Sequence, residues 1–467
     1  MFQTIISTIS SFMYSKLLVI LLIGAGVYFT VRTRFPQVRL FKNACGSVME
    51  KPEDKGAISS FQALMVSTAS RVGTGNIVGV SSAICIGGFG SVFWMWVIAI
   101  IGSASALIES TLAQIYKKKG KDGSCYGGPA YYIEAALHCR PLAIVFCVAM
   151  ILTYAFGFNM LASYNLQSTF ASQPFYNAEI TPWIIGGILS LVMGWCLLGG
   201  GNRIVKVTST LVPFMGIAYI LVSLLVVVLN IGQLPSVMAQ TFKEAFDFKA
   251  IFAGFAGSAM MQGIRRGLYS NEAGIGSAPN AAASAVVSHP VKQGLVQMLS
   301  VFIDTLLLCT ATAMMCLVSG VIPAKELQGA PWVQAALHKT LGSFGPYFIM
   351  IAMVLFAFTT LLGNCFYCDN LLTYIHKKQP DRKFMTGFRI VSALAVFWGA
   401  GMEMTLLWHI SDVLMGVMAL INIPVILILS NTVVKTLKDY EIQIQQKKNP
   451  VFFSKNIDLK QKTDYWN

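Results

Sequence analysis

The chain has 467 residues, of which 55% are hydrophobic and 12% charged, against about 25% charged in ordinary soluble domains. That balance predicts an integral membrane protein and leaves no room for a soluble catalytic domain beside its spans. The net charge of +14 resembles a nucleic-acid footprint only until its distribution is read.

Apolar runs able to cross a ~30 Å hydrocarbon layer at ~1.5 Å per residue fall near residues 16–32, 61–86, 90–116, 141–171, 182–199, 206–230, 249–268, 293–320, 345–375, 384–400 and 405–432. The expected fold is therefore all-α and polytopic, with about 11 transmembrane helices. Residues 1–58 read as an extra N-terminal helix with a basic connector, 59–230 as a first set of five helices, 231–434 as a second set, and 435–467 as a solvated, lysine-bearing tail. Twenty-five of the 34 Lys and Arg residues lie on one set of loops and the tail, and five on the other. The positive-inside rule then puts the N-terminus outside and the C-terminus in the cytoplasm of a cell inner (plasma) membrane. The apolar run after Lys16 lacks a small-x-small cleavage site and is read as a retained helix.

Residues 69–79 are Ala-Ser-Arg-Val-Gly-Thr-Gly-Asn-Ile-Val-Gly, a poor helix inside an apolar segment. Gly73 and Gly75 each cost about 1 kcal/mol in a helix interior, and Arg71 carries a permanent charge toward mid-membrane depth. Two readings stand: small residues that let helices pack, through Gly75-x-x-x-Gly79, or an unwound segment whose freed peptide groups face a ligand. Farther on, Trp94 and Trp96 sit where an aromatic girdle is expected, and Glu109 has no partner that the sequence identifies. Gly127 to Tyr132 is too polar and broken to span, which predicts a short interfacial helix. Asn159 follows Phe156 in an apolar run, where an intramembrane amide commonly bridges helices.

A second interruption is expected between Phe252 and Ser277, where Gly254 and Gly257 weaken the helix and Arg265, Arg266, Asn271 and Glu272 follow. It lies five spans after the first, so the two halves enter the membrane from opposite sides. Paired interruptions at matching positions of two halves point to a transporter's midplane site. Asp304 lies in another apolar run. Thr359 and Thr360 offer hydroxyl oxygens to a hard cation, unless they bond back to their own helix.

The ten cysteines are scattered, which suits packing better than a disulfide framework. Cys365-x-x-Cys368 has no second pair, and the five histidines have no ligand spacing, so neither a transition-metal centre nor a cofactor is expected. The sequence contains no HExxH, GxSxG or P-loop, which argues against an enzyme or an ATP-driven pump.

Val72-Gly-Thr-Gly-Asn76, the stretch GGFGSVFWMWVIAIIG at 87–102, and Arg266-Gly-Leu-Tyr-Ser-Asn-Glu-Ala-Gly-Ile-Gly-Ser-Ala-Pro279 together resemble the alanine or glycine:cation symporter family, also called the sodium:alanine symporter family. The resemblance covers nearly the whole chain, with Ser91 a small departure. It implies the leucine-transporter fold, in which two inverted five-helix repeats begin with helices unwound at mid-depth. It also implies sodium-coupled import of small neutral amino acids by alternating access. Carried over by position, Gly73, Thr74, Gly75, Asn76, Phe156, Gly257, Thr360 and Asn364 would contact substrate. The sodium ion would be held by the Ala69, Val72 and Phe356 carbonyls and by the hydroxyls of Thr359 and Thr360. Arg71 would pair with a substrate carboxylate or with an internal acid such as Asp304. Members taking alanine or glycine often have Trp where this chain has Asn364, so a roomier, more polar pocket suited to glutamine or asparagine is expected. An amino-acid sensor, with the tail as its docking element, and a channel are the alternatives.

Overall fold

The computed structural model describes residues 2–50, 52, 57–120, 123–247, 258–459, 461 and 463–466. In chain order its principal helices are α1 (Gln3–Arg32), the short pair α2 (Ser60–Arg71) and α3 (Val78–Gly87), α4 (Gly90–Ile115), α5 (Arg140–Ser168), α6 (Thr181–Leu197) and α7 (Gly200–Leu229). A second short pair follows, α8 (Ala259–Asn271) and α9 (Pro279–Ser284), then α10 (Pro290–Val318), α11 (Phe344–His376), α12 (Arg382–Ala400) and α13 (Met404–Gln445). Among the described residues, seven of these (α1, α4, α5, α7, α10, α11 and α13) are long and apolar enough to cross a bilayer. The chain is an all-α polytopic membrane protein.

Helix α4 is the axis of the bundle. Every residue from Gly102 to Ile115 is buried, including Glu109 and Gln114. Helices α8 and α10 lie against it, brought close by small residues: a Cβ on Gly267 would stand 2.6 Å from Ile98 Cγ2, and one on Gly294 2.8 Å from the Leu107 carbonyl. Helix α7 does the opposite job. Its Phe214, Ile217, Leu221, Leu224 and Val228 are exposed, a stripe at three- and four-residue spacing that fits contact with lipid.

The first expected interruption is present, and a second break lies beyond the glycines at which one was expected. The first helix of the pair stops at Arg71, residues 74–76 form a single 3-10 turn, and α3 starts at Val78. Ser59 and Gln62 close a capping box at the start of α2, which fixes that end. The second break falls at residues 272–278, where Glu272, Gly274 and Gly276 all have positive φ. The glycines singled out from sequence, Gly254 and Gly257, lie outside the described residues.

Two ends differ from expectation. Helix α1 begins near residue 3 rather than 16, because residues 3–15 carry no charge and continue the apolar pattern. Helix α13 runs past 432 to Gln445 because Val433, Thr436, Leu437 and Tyr440 keep a buried stripe at helical spacing. The rest of the tail is not a solvated appendage: Phe452, Ile457 and Trp466 are buried against Ala63, Ala285 and Val287. Lys118–Lys119 and Cys125–Tyr126 pair as a two-stranded antiparallel ribbon ahead of the short helix Pro129–Leu137.

Three of the long helices contain π-helical turns, at Met13–Leu18, Leu152–Gly157 and Phe302–Cys309. Such bulges concentrate at functional sites. Here they carry or adjoin Tyr14, Phe158 and Asp304.

Candidate functional site

The site is built at the first break. Val72 leaves the helix with ψ 83°, so the carbonyls of Ala69, Ser70, Arg71 and Val72 receive no hydrogen bond from any described donor, and the N–H groups of Thr74 and Gly75 find no described acceptor. The Gly73 N–H is capped by Asn76 Oδ1 at 3.0 Å. All of these residues are buried. Unpaired peptide groups at such depth cost several kcal/mol each unless a ligand answers them. The negative end of the α2 dipole and the positive end of the α3 dipole meet here, which suits a cation on one side of the turn and a carboxylate on the other.

Helix α11 supplies the wall. A Cβ on Gly363 would lie 2.6 Å from the Ser70 nitrogen, so the two backbones touch, and a Cβ on Gly73 would fall on Thr360 Oγ1. That hydroxyl is buried and has no partner among the described residues. Thr359 behaves differently. Its hydroxyl donates back to the carbonyls of Leu355 at 2.9 Å and Phe356 at 3.2 Å, leaving lone pairs alone for any outside role. The structure thus brings Ala69, Val72, Gly73 and Thr360 together.

On the other side, Asn165 donates to Thr74 Oγ1 at 3.0 Å, and a Cβ on Gly75 would meet the Tyr269 ring at 2.6 Å. Tyr269 packs on Phe158 and on Trp408, both with centroids 4.8 Å away. The aromatic residue against the turn is Tyr269, with Phe158 packed behind it. Phe156 is half-buried and packs with the general core. Gly257 lies outside the described residues.

Asn364 does not open a void. Ser70 donates to its Oδ1 at 2.6 Å and its Nδ2 donates to Asn159 Oδ1 at 2.8 Å, a polar chain that joins α2, α11 and α5. Asn76 is likewise engaged: its Nδ2 donates to Asp304 Oδ1 at 2.8 Å, and Asp304 also accepts from Ser270 at 2.6 Å and Thr305 at 2.9 Å. Arg71, 2% exposed, reaches Gln297 only at 3.4 Å, while its Nε and Nη2 have no described partner. It forms no ion pair with Asp304.

The second break is held by a residue whose role the sequence concealed. Glu109 accepts from the N–H groups of Gly274 at 3.2 Å and Gly276 at 3.1 Å, and from Asn422 Nδ2 at 2.8 Å. Two backbone donors with left-handed glycines thus wrap one carboxylate, and Tyr132 in turn bonds Asn422.

Sequence reasoning also missed Asp412. It sits between Arg265 and Arg266 at 3.6 and 3.4 Å. Arg265 lies over the Tyr14 ring at 4.6 Å and Arg266 over Trp408 at 3.8 Å. The signal was available: paired arginines in an apolar segment require a buried acid, and Asp412 is an isolated acid at the start of the last span. The cluster adjoins the site through Trp408, whose ring also packs on Tyr269. A cavity of about 540 Å³ is lined by Ile58, Tyr126, Asn202, Asn280, Asn370 and Arg389.

The profile of the sodium:alanine symporter family matches residues 1–454. The chain belongs to the sodium:alanine symporter family. Relatives run its full length. An amino-acid carrier protein of Bacillus subtilis (strain 168), AlsT, is 41% identical over 100% of this chain and 98% of its own. A second B. subtilis protein, named "Probable sodium/glutamine symporter GlnT", is 42% identical over 97% of this chain and 93% of its own. The sodium/alanine symporter AgcS of Methanococcus maripaludis is 36% identical over 96% and 99%. Membership makes this family member a membrane transporter rather than an enzyme.

Proposed function

We propose that this symporter-family chain carries small neutral amino acids with sodium from outside to cytoplasm by alternating access. One observation carries the reading: the unanswered carbonyls of Ala69 to Val72 and the unpaired Thr360 hydroxyl face a cation position, beside the unanswered N–H groups of Thr74 and Gly75. Sodium bound to the first set stabilises the turn that presents the second to a carboxylate, and that linkage is what coupling requires. Ala69, Val72, Phe356, Thr359 and Thr360 form the sodium site. Gly73, Thr74, Gly75 and Asn76 shape the carboxylate site, with Phe158 and Tyr269 as its wall.

The proposed architecture is a leucine-transporter-like pair of inverted five-helix repeats, 59–230 and 231–434. It is supported by two helix breaks five spans apart, and by the contact of the first turn with α8, where a Cβ on Gly75 would meet the Tyr269 ring. The proposed orientation, N-terminus outside and C-terminus cytoplasmic in the cell inner membrane, rests on the loop charges. The cavity lined by Asn202 and Arg389 would be the release route, with the Arg265–Asp412–Arg266 cluster closing the outer face.

Purified protein in liposomes is expected to accumulate alanine under an inward sodium gradient and to lose uptake when choline replaces sodium. Equal uptake driven by lithium or by a proton gradient would sink the cation assignment. Asn364 and Asn159 would read an amide-bearing side chain, so glutamine and asparagine join alanine and glycine as proposed substrates. Asn364→Leu, nearly isosteric, should weaken glutamine competition about tenfold, the scale of one lost hydrogen bond, while alanine uptake stays within about twofold. Competition curves against labelled alanine measure it, and unchanged glutamine inhibition would remove Asn364 from substrate recognition.

A further inference from the structure

The segment after α13 is built into the bundle at one particular place. Lys292 Nζ holds Asn449 Oδ1 at 2.7 Å, Ser288 Oγ donates to the Pro450 carbonyl at 2.7 Å, and Phe452 N–H donates to the Ser288 carbonyl at 3.0 Å. The chain then turns back so that Ser454 N–H reaches the Trp466 carbonyl at 2.9 Å, and the Phe452 and Trp466 rings meet edge-on at 5.6 Å. Trp466, 5% exposed, donates Nε1 to the Gln114 carbonyl at 2.6 Å. Its ring packs with Ala63 in the first turn of α2 and with Ala285 and Val287 after α9.

Three features separate this dock from permanent core. It is a satellite cluster of six buried apolar residues, distinct from the main core. It covers the first turn of α2, the half-helix whose far end carries the Ala69 to Val72 carbonyls, and the connector 285–289 whose Val286 N–H bonds the Ile58 carbonyl at 3.0 Å. It also rests on a compromised charge: the Lys117 ammonium is buried with no carboxylate beside it among the described residues, bonded to the Ala285 carbonyl at 2.9 Å and lying 3.8 Å from the centroid of the Tyr465 ring. Burial pulls that ammonium down to about 8. A charge so poorly compensated favours release of the lid that buries it.

We propose that the tail segment carrying Phe452, Ile457 and Trp466 is a releasable latch that pins the basic-face end of α2 against α4 and the 285–289 connector, and that undocking Trp466 frees α2 to swing and expose the sodium site to that face. The inference rests on the alternating-access reading for what the swing accomplishes, but not for whether it occurs.

Hydrogen exchange by mass spectrometry on the full chain in nanodiscs reads the latch directly. Trp466→Ala, and separately a chain ending at Lys448, should raise exchange of the 59–72 amides at least about tenfold, a modest fraction of what truncating a buried Trp releases. Exchange in α6 and α12, remote from the dock, should not change. Trp466→Phe keeps the ring and loses the Nε1 bond, so it should fall between. In liposomes the truncated chain should exchange internal for external alanine several-fold faster than wild type. Unchanged exchange at 59–72 in both Trp466→Ala and the truncation overturns the latch. So does a uniform rise across all helices with Trp466→Phe indistinguishable from wild type, which would make the segment a folding element. If wild-type protein moved no alanine with sodium, the symport reading would fall while the exchange comparison still decided the latch.

Discussion

Gly73→Ala abolishes sodium-driven alanine uptake, by about 100-fold or more, in a protein that still folds and inserts. The backbone at Gly73 is extended, φ −136° and ψ −156°, a conformation open to alanine. Space is the obstacle, because the new methyl would occupy the position of Thr360 Oγ1. A helical threonine has two accessible χ1 wells, so Thr360 yields by rotating its hydroxyl away, at a cost of order 1 kcal/mol. Folding survives that, but the proposed sodium site loses its one side-chain oxygen without another described partner. A 100-fold loss corresponds to about 2.7 kcal/mol of lost coupling. Three companions separate this account from generic damage. Thr360→Ser keeps the oxygen and should retain most uptake. Thr360→Val should match Gly73→Ala. The double variant Gly73→Ala with Thr360→Ala relieves the clash and should still not transport. Recovery of uptake in that double variant would show that crowding, and not the oxygen, is what matters.

What the sequence made legible was local. Gly73-Thr-Gly75 announces a break because glycine is costly within a helix, and the apolar spans announce themselves by length. What it concealed was long-range. The second break lies at 272–278, beyond the glycines from which one was expected, and what stabilises it is Glu109 on α4, some 165 residues away in sequence. Asn364 looked like an open polar position because its partners, Ser70 and Asn159, come from two other helices. Thr359 and Thr360 are adjacent and chemically alike, yet only the fold decides which hydroxyl is bonded back and which is left unpaired. Phe156 and Phe158 stand two apart, and the π-helical turn at Leu152–Gly157 governs which ring reaches Tyr269. The tail escaped notice because Phe452, Ile457 and Trp466 have no periodicity, and their burial is set by a surface formed elsewhere.

Asp412→Asn should destabilise the protein by about 3–5 kcal/mol, the cost of removing one member of a buried ion cluster. The geometry makes this substitution severe. Arg265 and Arg266 are each 6% exposed and both turn toward the same carboxylate, on its two different oxygens. Asparagine keeps the shape and removes the charge, so two guanidiniums are left facing one another with only the rings of Tyr14 and Trp408 to answer them. Cation–π contacts worth about 0.5–2 kcal/mol each do not offset that repulsion. The expected readout is a large fall in the thermal-inactivation midpoint in detergent. Asp412→Glu should recover much of it. The decisive comparison is the triple variant Arg265→Met, Arg266→Met and Asp412→Leu, in which no charge is left unpaired. Apolar replacement of a whole buried ion cluster is commonly neutral or stabilising, so this variant should regain wild-type thermal stability. It should nevertheless transport poorly if the cluster must part and re-form as the outer face opens and closes, because an apolar plug has no comparable means of solvating its opened faces. Stability without transport in the triple variant assigns the cluster to gating, whereas full transport in it reduces the three residues to structural support.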